Sequence, residues 1–245
     1  MRFRQFGALL LAVGLCSTSL AAADDVPADI AAKIRATLHE RIPDLKVEGV
    51  HKSPVPGLYE LDTGDELLYT NDAGTLIFAG RLIDTKSRED LTAARWNDLH
   101  AIDFNSLPFD LAIKTVRGDG SRKLVVFADP LCPYCRQLEQ EMQGVNNVTI
   151  YTFLYPLETL HPGASVKAVA IWCAKDRSDT WSKWMLQKKD PGDTKCTGAP
   201  LDKLQALGQK IRIDSTPTMF TVDGKRTRGA IKHNEIEQLL ANTHK

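Results

Sequence analysis

The sequence predicts a protein in two parts, a small α+β unit followed by a larger α/β unit, joined by a charged helix. Three observations predict this. One helical stripe followed by several short strand-like pieces fills residues 24–84. Residues 87–101, within a linker at 85–108, are rich in charge and thin in apolar stripe. From Phe109 onward, β-branched and aromatic strands alternate with helices, the pattern of parallel βαβ units. A chain of 245 residues allows one or two domains, and 43% hydrophobic against 25% charged residues supplies a real core.

The elements follow in order. Arg2 and Arg4, the apolar run Ala8–Leu15 and the small residues Ala21-Ala22-Ala23 read as a secretory signal over 1–23. The apolar run is too short to span a bilayer, and no later segment is apolar enough, so stable membrane insertion is not expected. The chain holds 31 basic and 31 acidic residues, and cleavage would remove two arginines and no acid. No basic patch points to nucleic acid. Cleavage also removes Cys16 and leaves Cys132, Cys135, Cys173 and Cys196, an even set suited to an oxidising compartment.

Within 24–84, Ile30, Ile34 and Leu38 recur every four residues, with Pro27 near the start of the helix and Pro43 at its end. Strands are expected at Lys46–Val50, Leu58–Leu61, Glu66–Thr70 and Thr75–Phe78, with a turn at Asn71-Asp72-Ala73-Gly74. So small a core is marginal alone, and a second copy is the simplest surface to complete it. A spacer helix is expected over 87–101, capped by Ser87 with Asp90 three positions on. In 109–245, strands at Leu111–Val116 and Leu124–Phe127 flank Gly118-Asp119-Gly120. A helix at Arg136–Gln143 and a strand at Val148–Leu154 come next. A helical stretch spans Ala164–Lys210 with breaks at Pro191-Gly192 and Pro200. Met219–Val222 turns back through Asp223-Gly224, and a helix at Glu235–Asn242 closes the chain.

Chemistry concentrates at Cys132-Pro133-Tyr134-Cys135, directly after a buried-looking strand and at the start of a helix. The thiolate is the species that attacks a disulfide. A free cysteine with a pKa near 8.5 is only about 3% ionised at pH 7. The first helical turn offers unpaired N–H groups and partial positive charge, which lowers such a thiol to roughly 3.5–7.5. Pro133 suits the first helical position, where no N–H is needed. Cys135 lies one turn on and can close a disulfide with Cys132. Leu138 and Met142 continue that side toward the core, so Cys132 is expected at the exposed end and Cys135 more covered.

Zinc is the competing reading, with Cys173 and Cys196 completing four ligands; the absence of a second close pair and the oxidising compartment argue against it. A bridge between Cys173 and Cys196 would stabilise by roughly 3 kcal/mol in the chain-entropy model. A second redox pair is the alternative. Thr216-Pro217 opens a strand, which suits either a trans proline in a loop or a cis bond turned toward the cysteines. His161 reads as a loop residue, and Trp172, Trp181 and Trp184 read as core. None of the six histidines has a metal-ligand spacing.

Three stretches carry a family resemblance: Phe127-Ala128-Asp129-Pro130-Leu131-Cys132-Pro133-Tyr134-Cys135, Ile171-Trp172-Cys173-Ala174-Lys175-Asp176 and Ser215-Thr216-Pro217. In these the chain resembles the DsbC/DsbG family of periplasmic disulfide isomerases. The resemblance implies a cystatin-like N-terminal dimerisation domain, a linker helix and a thioredoxin-fold catalytic domain with a helical insertion. It implies Cys132 as nucleophile, Cys135 as resolving thiol and Pro217 as a cis-proline beside Thr216 at the substrate. Cys173 and Cys196 form its structural disulfide. No cofactor is implied beyond the redox-active disulfide Cys132–Cys135, and no metal. The implied partners are a second copy, misfolded or misoxidised secreted proteins, and a membrane reductant of the DsbD type; chaperone activity goes with these. Pro133-Tyr134 is similar to the DsbG branch, whereas the second cysteine pair is similar to DsbC. The strand position six residues before Cys132, often a buried acid in thioredoxin-like enzymes, is Val126. The rival functions are a reductase of sulfenylated single cysteines, a dithiol oxidase, and a holdase chaperone in which the cysteines are incidental.

Overall fold

An apolar side chain every fourth residue winds the first element into a helix, α1 (Ala28–Arg41), which begins after Pro27 and stops before Pro43. The computed structural model describes residues 26–192 and 195–243; the signal over 1–23 lies outside the described residues. The chain divides at Gly80 and Arg81 into two compact units.

In the first unit, Ile34 and Leu38 of α1 pack on Leu61 and Leu68. Those two leucines face each other across strands β2 (Leu58–Asp62) and β3 (Leu67–Asn71). With β1 (Gly49–Lys52) and β4 (Ile77–Phe78) they form an antiparallel sheet in chain order. β1 starts three residues later than the alternation predicts, because Arg35 of α1 takes the carbonyls of Val47 and Glu48. β4 is shorter than predicted, because the side-chain oxygen of Asn71 takes the amides of Thr75 and Leu76. The turn needs Gly74: φ is +68° and an added Cβ would stand 3.0 Å from the Ile34 carbonyl oxygen.

The second unit opens with helix α2 (Leu91–Leu99). Its cap is Asp90, whose carboxylate accepts from the Ala93 amide. Ser87 is therefore not the cap; its own amide is held by Asp84. α2 is also better anchored than its charge content predicts. Trp96 is 6% exposed, and the guanidinium groups of Arg226 and Arg228 lie 4.9 and 4.6 Å from its ring.

Five strands follow: β5 (Ile113–Arg117), β6 (Arg122–Ala128), β7 (Val148–Leu154), β8 (Thr218–Phe220) and β9 (Arg226–Arg228). Their order is β5-β7-β6-β8-β9; β6 and β7 run parallel, and every other neighbouring pair runs antiparallel. The strands joined through Gly118-Asp119-Gly120 are thus not neighbours, since β7 lies between them. Helix α3 (Pro133–Glu141) makes the β6–β7 crossover. Phe127, Phe153 and Phe220 are fully buried at the centre, with Phe127 5.0 Å from Phe153 and 6.0 Å from Phe220 between ring centroids. The β8–β9 turn requires Gly224, where a Cβ would come within 2.0 Å of the Ile102 carbonyl oxygen.

Between β7 and β8 the helical insertion comprises α4 (Ala164–Trp172), α5 (Arg177–Gln187) and α6 (Leu201–Lys210); α7 (His233–Ala241) ends the unit. The predicted breaks before Leu201 are present. A further break, at Cys173–Asp176, arises because Asp176 caps α5 by accepting from the Asp179 amide. A disulfide joins Cys173, at the end of α4, to Cys196, 23 positions on. Replacing both cysteines with serine is expected to lower stability by roughly 3 kcal/mol, measured by urea denaturation, because the open loop regains its conformational freedom.

Candidate active site

Strand β6, the central strand of the sheet, is buried along its last five residues and delivers the chain to Asp129. There the Cys132 amide donates to the Asp129 carbonyl at 3.2 Å, a tight turn that sets Cys132 at the N-cap of α3. Pro133 takes the first helical position. Both cysteines carry free thiols. Cys132 is 4% exposed and Cys135 1%, so Cys132 is more covered than its place at a helix start predicts. Its cover is the backbone before β8: Cys132 Sγ donates to the Thr216 carbonyl at 3.3 Å. Tyr134 by contrast is 62% exposed beside the pair.

The Thr216–Pro217 peptide is cis. The Gly229 amide of the adjoining segment donates to the Pro217 carbonyl at 2.8 Å, and Thr218 Oγ1 donates to the Ser215 carbonyl at 2.7 Å. The structure therefore brings Cys132, Cys135, Thr216 and Pro217 together. Cys173 and Cys196 are bonded to each other and cannot complete a zinc site with the motif. Among the described residues no group of three potential metal ligands converges.

The electrostatics separate the two sulfurs. The Cys132 thiol is lowered to about 5. The side-chain hydrogen bond from Cys135 contributes most; burial opposes it, and the Cys135 amide, Thr216 and the Tyr134 amide add to the lowering. The Cys135 thiol is pushed well above the ordinary thiol value, by burial first and then by Cys132 itself. One sulfur is a thiolate near neutral pH and its neighbour keeps a proton, as nucleophile and reserve thiol require. The Thr216 hydroxyl is buried without a partner in hydrogen-bond geometry among the described residues, although it is close enough to favour the thiolate at both sulfurs. With no defined bond, its part is secondary.

Position 126, as the sequence indicates, is apolar: Val126 is 2% exposed and faces Met219 across β6 and β8. Two buried acids stand elsewhere. Glu139 accepts from Trp181 Nε1 at 2.7 Å with Arg117 beyond, and burial raises its pKa. Asp129 is fully buried, and its carboxylate meets His161 Nδ1 at 2.9 Å, so His161 is more than a loop residue. Trp172 and Trp181 are core, as predicted. Trp184 does more: its indole N–H donates to the Pro130 carbonyl at 2.6 Å, between Arg136 and Lys167, and so braces the loop leading to Cys132. An acid three residues before the first cysteine is a readable signal for Asp129; nothing local marks its partner.

The chain is similar to known proteins along most of its length. Residues 109–244 match the thioredoxin-like domain, and residues 20–93 match the disulfide bond isomerase protein N-terminal domain. The chain is 39% identical over 207 residues to a probable thiol:disulfide interchange protein DsbC of Bordetella pertussis, covering 84% of this chain and 73% of that one. It is 24% identical over 236 residues to the thiol:disulfide interchange protein DsbC of Escherichia coli, covering 96% and 94%. A crystal structure of a disulfide interchange protein from Neisseria gonorrhoeae superposes with a TM-score of 0.54 at 36% identity, covering 56% of this chain and 98% of that one.

Proposed function

Because the chain belongs to the DsbC family of thiol:disulfide interchange proteins, a family of thiol–disulfide oxidoreductases, we propose that it is a periplasmic, homodimeric disulfide isomerase and reductase. The observation that carries the reading is the placement of two free thiols, Cys132 at the N-cap of α3 and Cys135 one turn on, with Cys132 against the carbonyl of the cis Thr216–Pro217 peptide. The lowered Cys132 and raised Cys135 thiols accord with it.

The Cys132 thiolate attacks one sulfur of a wrong disulfide in a secreted protein. A new bond forms from Cys132 to that sulfur, the old bond breaks, and the second substrate sulfur leaves as a thiolate with the electron pair. If a substrate thiolate then attacks the mixed disulfide, Cys132 is released and the substrate has been isomerised. If Cys135 attacks, the Cys132–Cys135 disulfide forms and the substrate has been reduced by two electrons. A membrane reductant of the DsbD type returns those electrons, so no cofactor is needed. The backbone at Thr216–Pro217, whose Thr216 carbonyl meets Cys132 Sγ, is the edge on which an extended substrate segment pairs once it displaces that contact.

The first unit supports the dimer. Its core is small, and Leu76 and Phe78 are 56% and 50% exposed at its short outer strand β4, a surface a second copy would cover. Apolar surface held between two copies would also bind unfolded chains, which is the basis for chaperone activity.

Acid-quenched thiol trapping in the periplasm tests the reading. A mostly reduced Cys132–Cys135 pair is expected of an isomerase or reductase. A mostly oxidised pair would assign the protein to the dithiol oxidases instead.

A further inference from the structure

Asp129 contacts both cysteines and the loop that leads to them. Its amide donates to Cys135 Sγ at 3.4 Å, and its carbonyl accepts from the Cys132 amide at 3.2 Å. One carboxylate oxygen accepts from the Leu131 amide at 2.7 Å. The other accepts from the Leu157 amide at 2.7 Å and meets His161 Nδ1 at 2.9 Å. The side chain is 0% exposed, so these contacts replace all of its water. A buried carboxylate is tolerated only when so satisfied, and losing one partner is costly. The donors come from two segments, the loop before α3 and the connection after β7, which Asp129 ties together. The tie holds the backbone at Asp129, whose amide shares its peptide with the Ala128 carbonyl that accepts from the Tyr155 amide at 2.8 Å.

We propose that Asp129, held by Leu131, Leu157 and His161, is a positioning residue for the second half of the reaction: it aims its amide at Cys135 Sγ and so stabilises the thiolate that resolves the mixed disulfide. This rests on Cys132–Cys135 being the redox pair. In the resolving step Cys135 gives its proton to water and attacks Cys132 Sγ. The Cys132–Cys135 bond forms, the bond from Cys132 to the substrate breaks, and the substrate sulfur leaves with the electron pair and takes up a proton. Charge develops on Cys135 in a place that otherwise resists it, since burial and the neighbouring Cys132 both raise its pKa. The Asp129 amide is first among the contacts that act the other way. The strand position that often holds a buried acid in thioredoxin-like enzymes is Val126 here.

The test separates the two steps. Formation of the mixed disulfide with a disulfide-bonded peptide is followed by quench and mass spectrometry, and its resolution by release of the second peptide thiol. Asp129→Ala is expected to slow resolution about tenfold or more, the range for a hydrogen bond to a charged group, and to slow formation several times less. Asp129→Asn keeps an acceptor for the Leu131 amide and guards against a variant that fails to fold; it is expected to show the same imbalance, reduced in size. His161→Gln, which can still donate to the carboxylate, is expected to retain most of the resolving rate, whereas His161→Ala is not. A folded Asp129→Asn that slows both steps equally, or neither, would overturn the proposal. If the wild-type protein formed no mixed disulfide at Cys132, the underlying reading of the redox pair would fail instead.

Discussion

Replacing Cys132 with serine is expected to abolish disulfide exchange altogether, while replacing Cys135 with serine is expected to leave the attack intact and strand its product. The asymmetry comes from the site's electrostatics. Cys132, lowered to about 5, is almost wholly thiolate at pH 7. Cys135, buried and raised, is almost wholly protonated there. A hydroxyl at position 132 has no accessible anion at that pH, so reduction of insulin or refolding of a scrambled disulfide protein should fall to the uncatalysed rate. With serine at position 135, mixed disulfides through Cys132 should accumulate as reducible adducts on a non-reducing gel. The result that would sink the assignment is residual activity in the Cys132→Ser protein, or adducts through Cys135. The same pair of variants addresses the holdase rival. Suppression of aggregation that survives Cys132→Ser would show that apolar surface acts independently of the chemistry. It would not account for loss of disulfide exchange.

What was legible in the sequence follows the range of the interactions involved. The redox helix is written locally: a buried strand, a cysteine, a proline at the first helical position and a second cysteine one turn on. The hairpin at Asp223-Gly224 is equally local, because only glycine tolerates the approach of Ile102 there. The strand order is not local. β5 and β6 are adjacent in the chain, yet β7, arriving more than twenty residues after β6 begins, takes the place between them. Side-chain competition for backbone groups also escaped the pattern. Asp90 rather than Ser87 caps α2, Asp176 cuts the helical insertion, and Asn71 shortens β4. Each is a polar side chain whose partner depends on how the chain has already turned. The cover over Cys132 comes from Thr216, 84 positions away, and the Asp129–His161 contact spans 32. Periodicity carries no trace of either. The family resemblance supplied the cis-proline and its place beside the cysteines, but a histidine that reads as a loop residue gave no sign of its partner.

The pH dependence of the reduced protein follows from the same lowered thiol, and the sign is fixed by the direction of the shift. A group whose pKa is lower folded than unfolded stabilises the fold in its ionised form. For Cys132 the ordinary thiol value is 9.0 and the folded value about 5. Its contribution to the stability of the reduced protein is therefore complete above about pH 9, declines steadily as pH is lowered, and is gone below about pH 5. Cys132→Ser removes it. The difference in urea stability between reduced wild type and Cys132→Ser should accordingly widen from pH 5 to pH 9 in favour of the wild type. Thiolate absorbance and the rate of alkylation by iodoacetamide should show a midpoint near 5. Cys135→Ala should move that midpoint upward by about one unit or more, because it removes the hydrogen bond that contributes most to the lowering. A midpoint near that of free cysteine in the reduced wild-type protein would mean that the helix start and Cys135 do not stabilise the anion. Thiolate attack by Cys132 near neutral pH would then lose its physical basis.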